Sequence, residues 1–329
     1  MNMKKAVLIL TILLIMAFTI KASFIYMDSI KEIESISKNL KNEPQEKQIT
    51  IIMVGDVMLD RGVELMVQKY GNNNYFFPFE KISNYLKTAD IVSGNLEGPV
   101  SDKGTKVGSI YSFRSDPKAI EGLKQAGFNL MMIANNHAFD YGRLALEDTL
   151  QRLKAAGISY AGAGFNKQEA FGPTIKEVRG KKIAFLEYTD LGSPFWAAKD
   201  NSSGIAWVSE ENMEEIKENI KQAREQSDFL IVSLHSGNEY QEEPSQFQKS
   251  FAKQALEAGA DLAIGHHAHI IQTDEKNIYY GLGNFVFDQN FSKETMEGEI
   301  IRISITPRNV RIIPLRVKLN QYFQPELTP

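Results

Sequence analysis

The pattern of apolar and polar positions changes character three times along the chain. Lys4 and Lys5 precede an apolar run from Ala6 to Ile20, and beyond Lys21 a second apolar patch runs from Ala22 to Met27. A helix over residues 6–27 would span about 33 Å at ~1.5 Å per residue, enough for a bilayer core of about 30 Å. A cleavable signal peptide with its apolar part ending near Ile20 is the shorter reading. Thr19-Ile20-Lys21 and Ser23-Phe24-Ile25 place bulk where a cleavage site needs small residues, so the pattern favours an uncleaved signal anchor over residues 1–27. The lysine pair stays in the cytoplasm by the positive-inside rule. That predicts a single-pass protein of the cell membrane with an extracytoplasmic body. Residues 28–48 then carry nine charges in 21 positions, with Ile30, Ile33, Ile36 and Leu40 at helical spacing. They read as a charged stalk ending at Asn42-Glu43-Pro44.

From Ile49 onward, apolar runs of strand length alternate with amphipathic segments. The runs predict strands over Ile49–Val54, Asp90–Ser93, Phe128–Ala134, Lys182–Tyr188, Phe229–Leu234, Asp261–Ile264 and Ile278–Gly281. Helices are predicted over Phe79–Thr88, Pro117–Ala126, Arg143–Ala156, Glu210–Gln226 and Ser245–Ala258. Continuous runs such as Ile51-Ile52-Met53-Val54 suit strands buried on both faces beneath covering helices, an α/β domain over residues 49–329. The tail alternates with period two over Glu299–Thr306 and Val310–Lys318, around Pro307-Arg308-Asn309, which predicts an edge hairpin spanning residues 299–318.

Composition narrows the functional classes. The chain has 329 residues, 43% hydrophobic, with 37 basic and 41 acidic side chains, a net charge of −4 and no cysteine. A pI near 5.9 excludes the electrostatic footprint of a nucleic-acid-binding protein. Without cysteine there is no disulfide, thiolate zinc site or cysteine nucleophile.

The chemistry concentrates at strand ends. All five histidines, His137, His235, His266, His267 and His269, follow predicted strands in stretches rich in Gly, Asn or Asp. Ligands of open α/β sheets bind beyond the carboxyl ends of strands. Gly55-Asp56 ends the first strand, and Asn95 and Glu97 end the second. Asn135-Asn136-His137 follows the third, His235 ends a later one, and Gly265-His266-His267-Ala268-His269 carries a His-x-His pair. Oxygen and nitrogen donors without sulfur suit Zn, Mn or Fe. One or two such ions would activate water and polarise a phosphoryl or acyl oxygen, with a histidine outside the ligand set protonating the leaving group. Arg61 and Arg114 are candidate anion contacts. Glu239 and Tyr240 are candidate partners of His235, whereas Asp140 and Gly142 read as turn and helix-start residues.

The order Gly-Asp, Gly-Asn-Leu-Glu, Asn-Asn-His-Ala-Phe-Asp-Tyr-Gly, strand-His, Gly-x-His-x-His and Gly-Leu-Gly-Asn-Phe-Val-Phe-Asp-Gln resembles the poly-γ-glutamate capsule biosynthesis (CapA) family. That family is itself similar to the calcineurin-like metallophosphoesterases, and the match runs from about Ile51 to Gln289. The resemblance implies a metallophosphoesterase-like sandwich of two mixed β-sheets flanked by helices, on an N-terminal membrane anchor. It also implies metal-binding roles for Asp56, Asn136, His235, His267 and His269, with His137 and Asp56 in the catalytic role; Asn95 stands at the bridging position, where nearby Glu97 would restore the charge, and a Gly-His-x-x-His reading would promote His266. Two positions depart from the phosphoesterase pattern: Met58 stands where its first motif has histidine, and Asn95 where it has a bridging aspartate. The implied partners are an anionic polymer, poly-γ-glutamate, and membrane capsule synthase components. The body is either a hydrolase of an envelope polymer or a non-catalytic assembly factor.

Overall fold

A computed structural model of the protein describes residues 48–107 and 110–328. The anchor and stalk expected over residues 1–47 lie outside the described residues. Among those described, no helix is long and apolar enough to cross a membrane.

In chain order the elements are β1 (Ile49–Val57), α1 (Arg61–Tyr70), α2 (Ser83–Leu86), β2 (Ile91–Leu96), α3 (Ala119–Ala126), β3 (Leu130–Met132), α4 (Arg143–Ala156), β4 (Ser159–Ala161), β5 (Ala163–Gly164), α5 (Lys167–Phe171), β6 (Thr174–Val178), β7 (Lys181–Thr189), β8 (Gly204–Ile205), α6 (Met213–Glu225), β9 (Phe229–His235), α7 (Gln246–Glu257), β10 (Leu262–His266), β11 (Asp274–Glu275), β12 (Ile278–Tyr279), β13 (Asn284–Val286), β14 (Glu297–Ile305), β15 (Val310–Leu319) and β16 (Pro325–Leu327). One sheet runs β16-β15-β14-β1-β2-β3-β4, with β13 also paired to β1. The other runs β11-β12-β10-β9-β7-β6. Both are mixed: β1, β2, β3 and β4 pair in parallel, as do β7, β9 and β10, while β14 and β6 are antiparallel to their neighbours.

Side-chain alternation explains why the two sheets stack. Successive residues of a strand point to opposite faces. On β1, Ile51 and Met53 join Leu130 of β3, Phe185 of β7, Ile231 of β9 and Ile264 of β10 in one buried cluster between the sheets. The other face of β1, with Ile52 and Val54, packs against Val63 and Val67 of α1 and Leu146 and Leu150 of α4. On the second sheet, Leu186, Leu230 and Val232 pack against Ile216 and Ile220 of α6 and Phe251 of α7. The result is a helix–sheet–sheet–helix stack, with both sheets covered as the continuous apolar runs imply.

Several elements differ from the sequence reading. The helix expected over Phe79–Thr88 is a 3₁₀ turn at Phe77–Phe79 and a single α turn at Ser83–Leu86, because Phe79, Ile82 and Leu86 reach the core from two short turns as well as from one helix. Helix α1 has no counterpart among the expected helices; Asp60 caps it by accepting from Arg61 N at 2.7 Å, and Val63 and Val67 bury its inner face. The expected tail hairpin forms as β14 and β15, but lies inside the edge, since β16 pairs outside β15 and β14 pairs with β1. Gly55 lets β13 come alongside the end of β1: a Cβ there would sit 2.0 Å from Gly283 O. Asp56 N donates to that same carbonyl at 3.0 Å.

Candidate functional site

The carboxyl ends of strands from both sheets meet at one place. Asp56 on β1 is in register with Asn95 on β2 and with Asn284 on β13. In the second sheet His235, the last residue of β9, is paired in register with His266, the last of β10. The turn after β10 then carries His267 and His269 with φ of 95° and 56°. Non-glycine residues rarely adopt the left-handed region, and such strain clusters at functional sites. Asp56, Asn95, Glu97, His235, His266 and His269 are all buried.

A chain of amides orders the carboxylates. Asn135 accepts from His137 N through Oδ1 at 3.0 Å, and its Nδ2 donates to Leu96 O and to Asn95 Oδ1, both at 2.9 Å. These backbone partners fix the Asn135 amide, and through it the Asn95 amide. Asn95 Nδ2 therefore faces the acids, donating to Asp56 Oδ1 at 2.9 Å and Glu97 Oε2 at 3.1 Å. In this arrangement Asn95 ties two carboxylates together through its N–H groups, and its oxygen is already engaged. Asn136 reaches across the sheets, its Oδ1 lying 2.8 Å from His235 Nε2.

His137 sits at the edge of this group. Asp140 Oδ2 accepts from Phe113 N at 2.7 Å and lies 2.7 Å from His137 Nδ1. The carboxylate holds the proton on Nδ1 and leaves Nε2 turned inward, 3.8 Å from Glu97 Oε1. Phe113 stacks on the imidazole at 4.0 Å between centroids. Asp140, read as a turn residue, is thus also the orienting partner of His137. A cleft of about 540 Å³ opens here, lined by residues including Arg61, Phe113, Asn136, His137, Glu239 and His269. The Arg61 guanidinium lies over the Phe113 ring at 4.6 Å and is paired with Asp288, so its charge is largely neutralised within the chain. Arg114 instead stacks on Tyr141 at 4.1 Å and is not among the residues lining the cleft.

The electrostatics separate the imidazoles. Burial pushes His267 down to about 3, helped by the charge of His269. Burial, with His267 beside it, also holds His235 well below its usual value, so both rings stay neutral with a lone pair free to donate. His269 goes the other way: burial alone would lower it, but the Glu97 and Asp56 carboxylates overcome that and raise it to about 9. Asp56 is held well below the usual carboxylate range, because His266 and His269 together outweigh the effect of its burial.

Several buried atoms in this group have no protein partner: Glu97 Oε1, His235 Nδ1, His267 Nδ1 and both ring nitrogens of His266. His266 Nδ1 lies 3.3 Å from Asp56 Oδ1 but lacks hydrogen-bond direction. Buried polar atoms are normally satisfied, and carboxylate oxygens with neutral imidazoles are the donor set a divalent transition ion takes. Asp56, Glu97 and His235 offer ligand atoms within 4.8 Å of one another. The residues fit such an ion. Met58 takes no part: it is fully buried, and its Sδ accepts from Asp60 N at 3.1 Å.

Sequence reasoning passed over Glu187. This fully buried β7 carboxyl accepts from Ala134 N at 2.7 Å and so braces the Asn135–His137 loop from the opposite sheet. Burial pushes its carboxyl well above the usual range, which favours the neutral, protonated form. Its signal was a lone acid in the apolar run Ile183-Ala184-Phe185-Leu186-Glu187-Tyr188. Asn284, which lies 3.0 Å from His269 Nδ1, was visible only as part of the Gly-Leu-Gly-Asn motif.

The two stacked mixed sheets with covering helices are similar in fold to a solved nucleotidase structure. A putative 5'-nucleotidase from Staphylococcus aureus superposes with a TM-score of 0.50 at 17% identity, over 86% of this chain and 54% of that one. A hypothetical protein from Thermus thermophilus superposes with the same TM-score, 0.50, at 14% identity, over 82% of this chain and 99% of that one. Residues 50–289 match the family described as bacterial capsule synthesis protein PGA_cap, and the chain belongs to that family. The capsule biosynthesis protein CapA of Bacillus anthracis is 32% identical over 291 residues, 85% of this chain and 70% of the relative. The PGA biosynthesis protein CapA of Bacillus subtilis (strain 168) is 33% identical over 73% of this chain and 63% of its own length. The chain thus spans somewhat under two thirds of the second relative.

Proposed function

We propose that this protein works outside the cytoplasmic membrane, anchored by residues 1–27, in the synthesis or export of poly-γ-glutamate or a related capsule polymer. In this reading it hydrolyses a phosphoester or amide bond of an envelope polymer, in company with membrane synthase components. Family membership supports the pathway. The observation that carries the chemistry is the convergence of Asp56, Glu97 and His235, with unpartnered buried atoms, beside a histidine oriented by Asp140.

Asp56, Glu97, Asn136, His235, His267 and His269 would hold one or two divalent ions, Mn, Zn or Fe. When bound, the ion supplies positive charge that polarises a phosphoryl or acyl oxygen and acidifies water. The protein's own residues do the rest. Asp140 keeps a proton on Nδ1 of His137 and turns Nε2 to the cleft; in the doubly protonated ring Nε2 gives its proton to the leaving group, and the ring returns to the Nδ1–H tautomer. Asn95 orients the two acids by donating to both, and the Phe113 ring shields the imidazole from solvent. Arg61, over Phe113 at the cleft mouth, contacts an anionic group once its pairing with Asp288 is exchanged.

The test compares the Mn-loaded purified chain with His137→Ala on phosphoester and γ-glutamyl amide substrates. Turnover by the wild type that is lost in the variant, at unchanged ion content, supports hydrolysis. No turnover on any substrate, with a full ion complement, would shift the role to polymer binding or synthase assembly. The membrane topology is checked by protease accessibility of the body in intact protoplasts.

A further inference from the structure

Aromatic side chains gather at the open side of the cleft. Tyr111, Phe113, Tyr240 and Phe291 all line it together with His137 and His269. Two of these rings lie directly on the imidazoles: Phe113 stacks on His137 at 4.0 Å between centroids, and Tyr240 on His269 at 6.0 Å. Phe291 meets Tyr240 edge to face at 5.1 Å. Tyr240 is held from two sides, its Oη accepting from Gln289 Nε2 at 3.0 Å and its N donating to Ala268 O at 2.9 Å. It also takes left-handed backbone, with φ of 61°, a strain that persists where the surrounding structure enforces it and that clusters at ligand sites. Yet the outer rings reach solvent: Tyr111 is 64% and Phe291 65% exposed, and Ile110, beside Tyr111, is 81% exposed.

The charges point the same way. No lysine is among the described residues lining the cleft, and the one arginine there, Arg61, is paired with Asp288. Exposed Glu239 adds negative charge at the mouth. A ligand with a carboxylate on every unit would meet no free guanidinium or ammonium along this outer half. Resting on the phosphoester reading above, we propose that the outer half of the cleft binds an uncharged apolar arm of the substrate, with Tyr111, Tyr240 and Phe291 as the residues that select it.

The substrate class is then an amphiphilic phosphoester, with its anionic group directed at the buried residues and a hydrocarbon chain laid over the rings. A single exposed aromatic side chain needs no explanation, but several converging on one opening beside convergent polar groups mark a ligand site. The cleft of about 540 Å³ has the size of a small-molecule site, and two of its rings lie on the site's own imidazoles. An arm in contact with those rings is inside the site, which favours substrate over a protein partner.

The test is calorimetric titration of the full chain, loaded with Mn²⁺, with methyl, butyl and geranyl phosphate, each corrected against protein-free detergent. Burying one methylene raises affinity about fourfold, so butyl phosphate should bind at least about tenfold tighter than methyl phosphate. The double variant Tyr111→Ser, Phe291→Ser should lose most of that gain, with the affinity for methyl phosphate and the melting temperature unchanged. Phe195→Ser, exposed but not among the residues lining the cleft, should keep it. A further gain from butyl to geranyl phosphate identifies the arm as a lipid chain, and a plateau at butyl identifies a small organic phosphoester; either supports the proposal. Equal affinities for methyl and butyl phosphate overturn the proposal alone. So does a gain undiminished in the double variant, because the chain then lies elsewhere. A wild-type dimer in sedimentation that the double variant lacks would assign the rings to a protein contact instead. Failure of all three phosphates to bind overturns the phosphoester reading as well.

Discussion

Strand β1 obeys two sets of rules within nine residues, and the contrast extends to β9 and β10. Its first half is apolar: Ile51 and Met53 fill the space between the sheets and are fully buried. Its second half carries Asp56, one residue before its end, which is equally buried but lies among carboxylates and imidazoles. In the apolar half Ile49, Ile51 and Met53 find neighbours of their own kind. In the polar half, atoms of Glu97, His235 and His267 are left without partners and two histidines take left-handed backbone. Equal burial therefore has opposite thermodynamic meaning at the two ends. The apolar half holds the stack together; the polar half is tolerated because the stack is rigid enough to enforce it.

The largest effect should come from the apolar end. Phe185→Ala removes a ring from the middle of the inter-sheet cluster and should cost about 3–5 kcal/mol in urea denaturation. Ion uptake per folded molecule should stay the same. A loss of under about 1 kcal/mol would mean the sheets are held together elsewhere. The polar end should gain stability only from a ligand: Mn²⁺ at a hundredfold excess over its dissociation constant adds about 2.7 kcal/mol to the wild type by mass action. His235→Ala should lose most of that increment, and an undiminished increment would remove His235 from the ligand set.

Glu187 joins the two regions, and its behaviour sharpens the comparison. Glu187→Leu deprives Ala134 N of its acceptor and should cost about 1–3 kcal/mol. Because burial raises the folded carboxyl well above its usual value, the folded state keeps a proton that the unfolded chain releases above about pH 4.5. This one group therefore makes stability fall as pH rises from there to its folded value, by at most about 1.4 kcal/mol per unit. Glu187→Gln should be close to neutral near pH 5 and should lose that decline. Denaturation curves between pH 5 and 8 with equal slopes for both proteins would show that Glu187 is ionised in the folded state.

The apolar region was also the more legible in the sequence. Runs such as Leu230-Ile231-Val232 announce a strand buried on both faces, and most of the long strands lie where those runs fall. Short strands such as β4, β6 and β13 were missed because three to five residues carry too little pattern, and their pairing is set by neighbours far along the chain. For the site, strand-end clustering picked out the residues, and the structure brings Asp56, Asn95, Glu97, Asn136, His137, His235, His267 and His269 together. What the sequence could not supply was direction. Nothing in Gly-Asn-Leu-Glu reveals that Asn95 turns its N–H groups to the acids, since that follows from Asn135 and its backbone partners. Likewise, spacing alone cannot say that Asp140 faces back onto His137 while Met58 turns into the core.

Arg61 and Arg114 give the smallest and cleanest contrast, because the sequence offered them for the same task. Arg61 hangs over Phe113 at the cleft mouth, held by Asp288, which also accepts from Gly62 N at 2.8 Å. Arg114 lies on Tyr141, with its guanidinium 3.5 Å from the Lys103 carbonyl. Arg114 is half-buried and its one ring contact is with Tyr141, so Arg114→Ala should cost no more than about 1 kcal/mol. It should also leave the affinity for an anionic ligand such as inorganic phosphate unchanged, whereas Arg61→Ala should weaken it several-fold. If Arg114→Ala weakened phosphate binding as much as Arg61→Ala, the anion path would extend beyond the cleft along Tyr141.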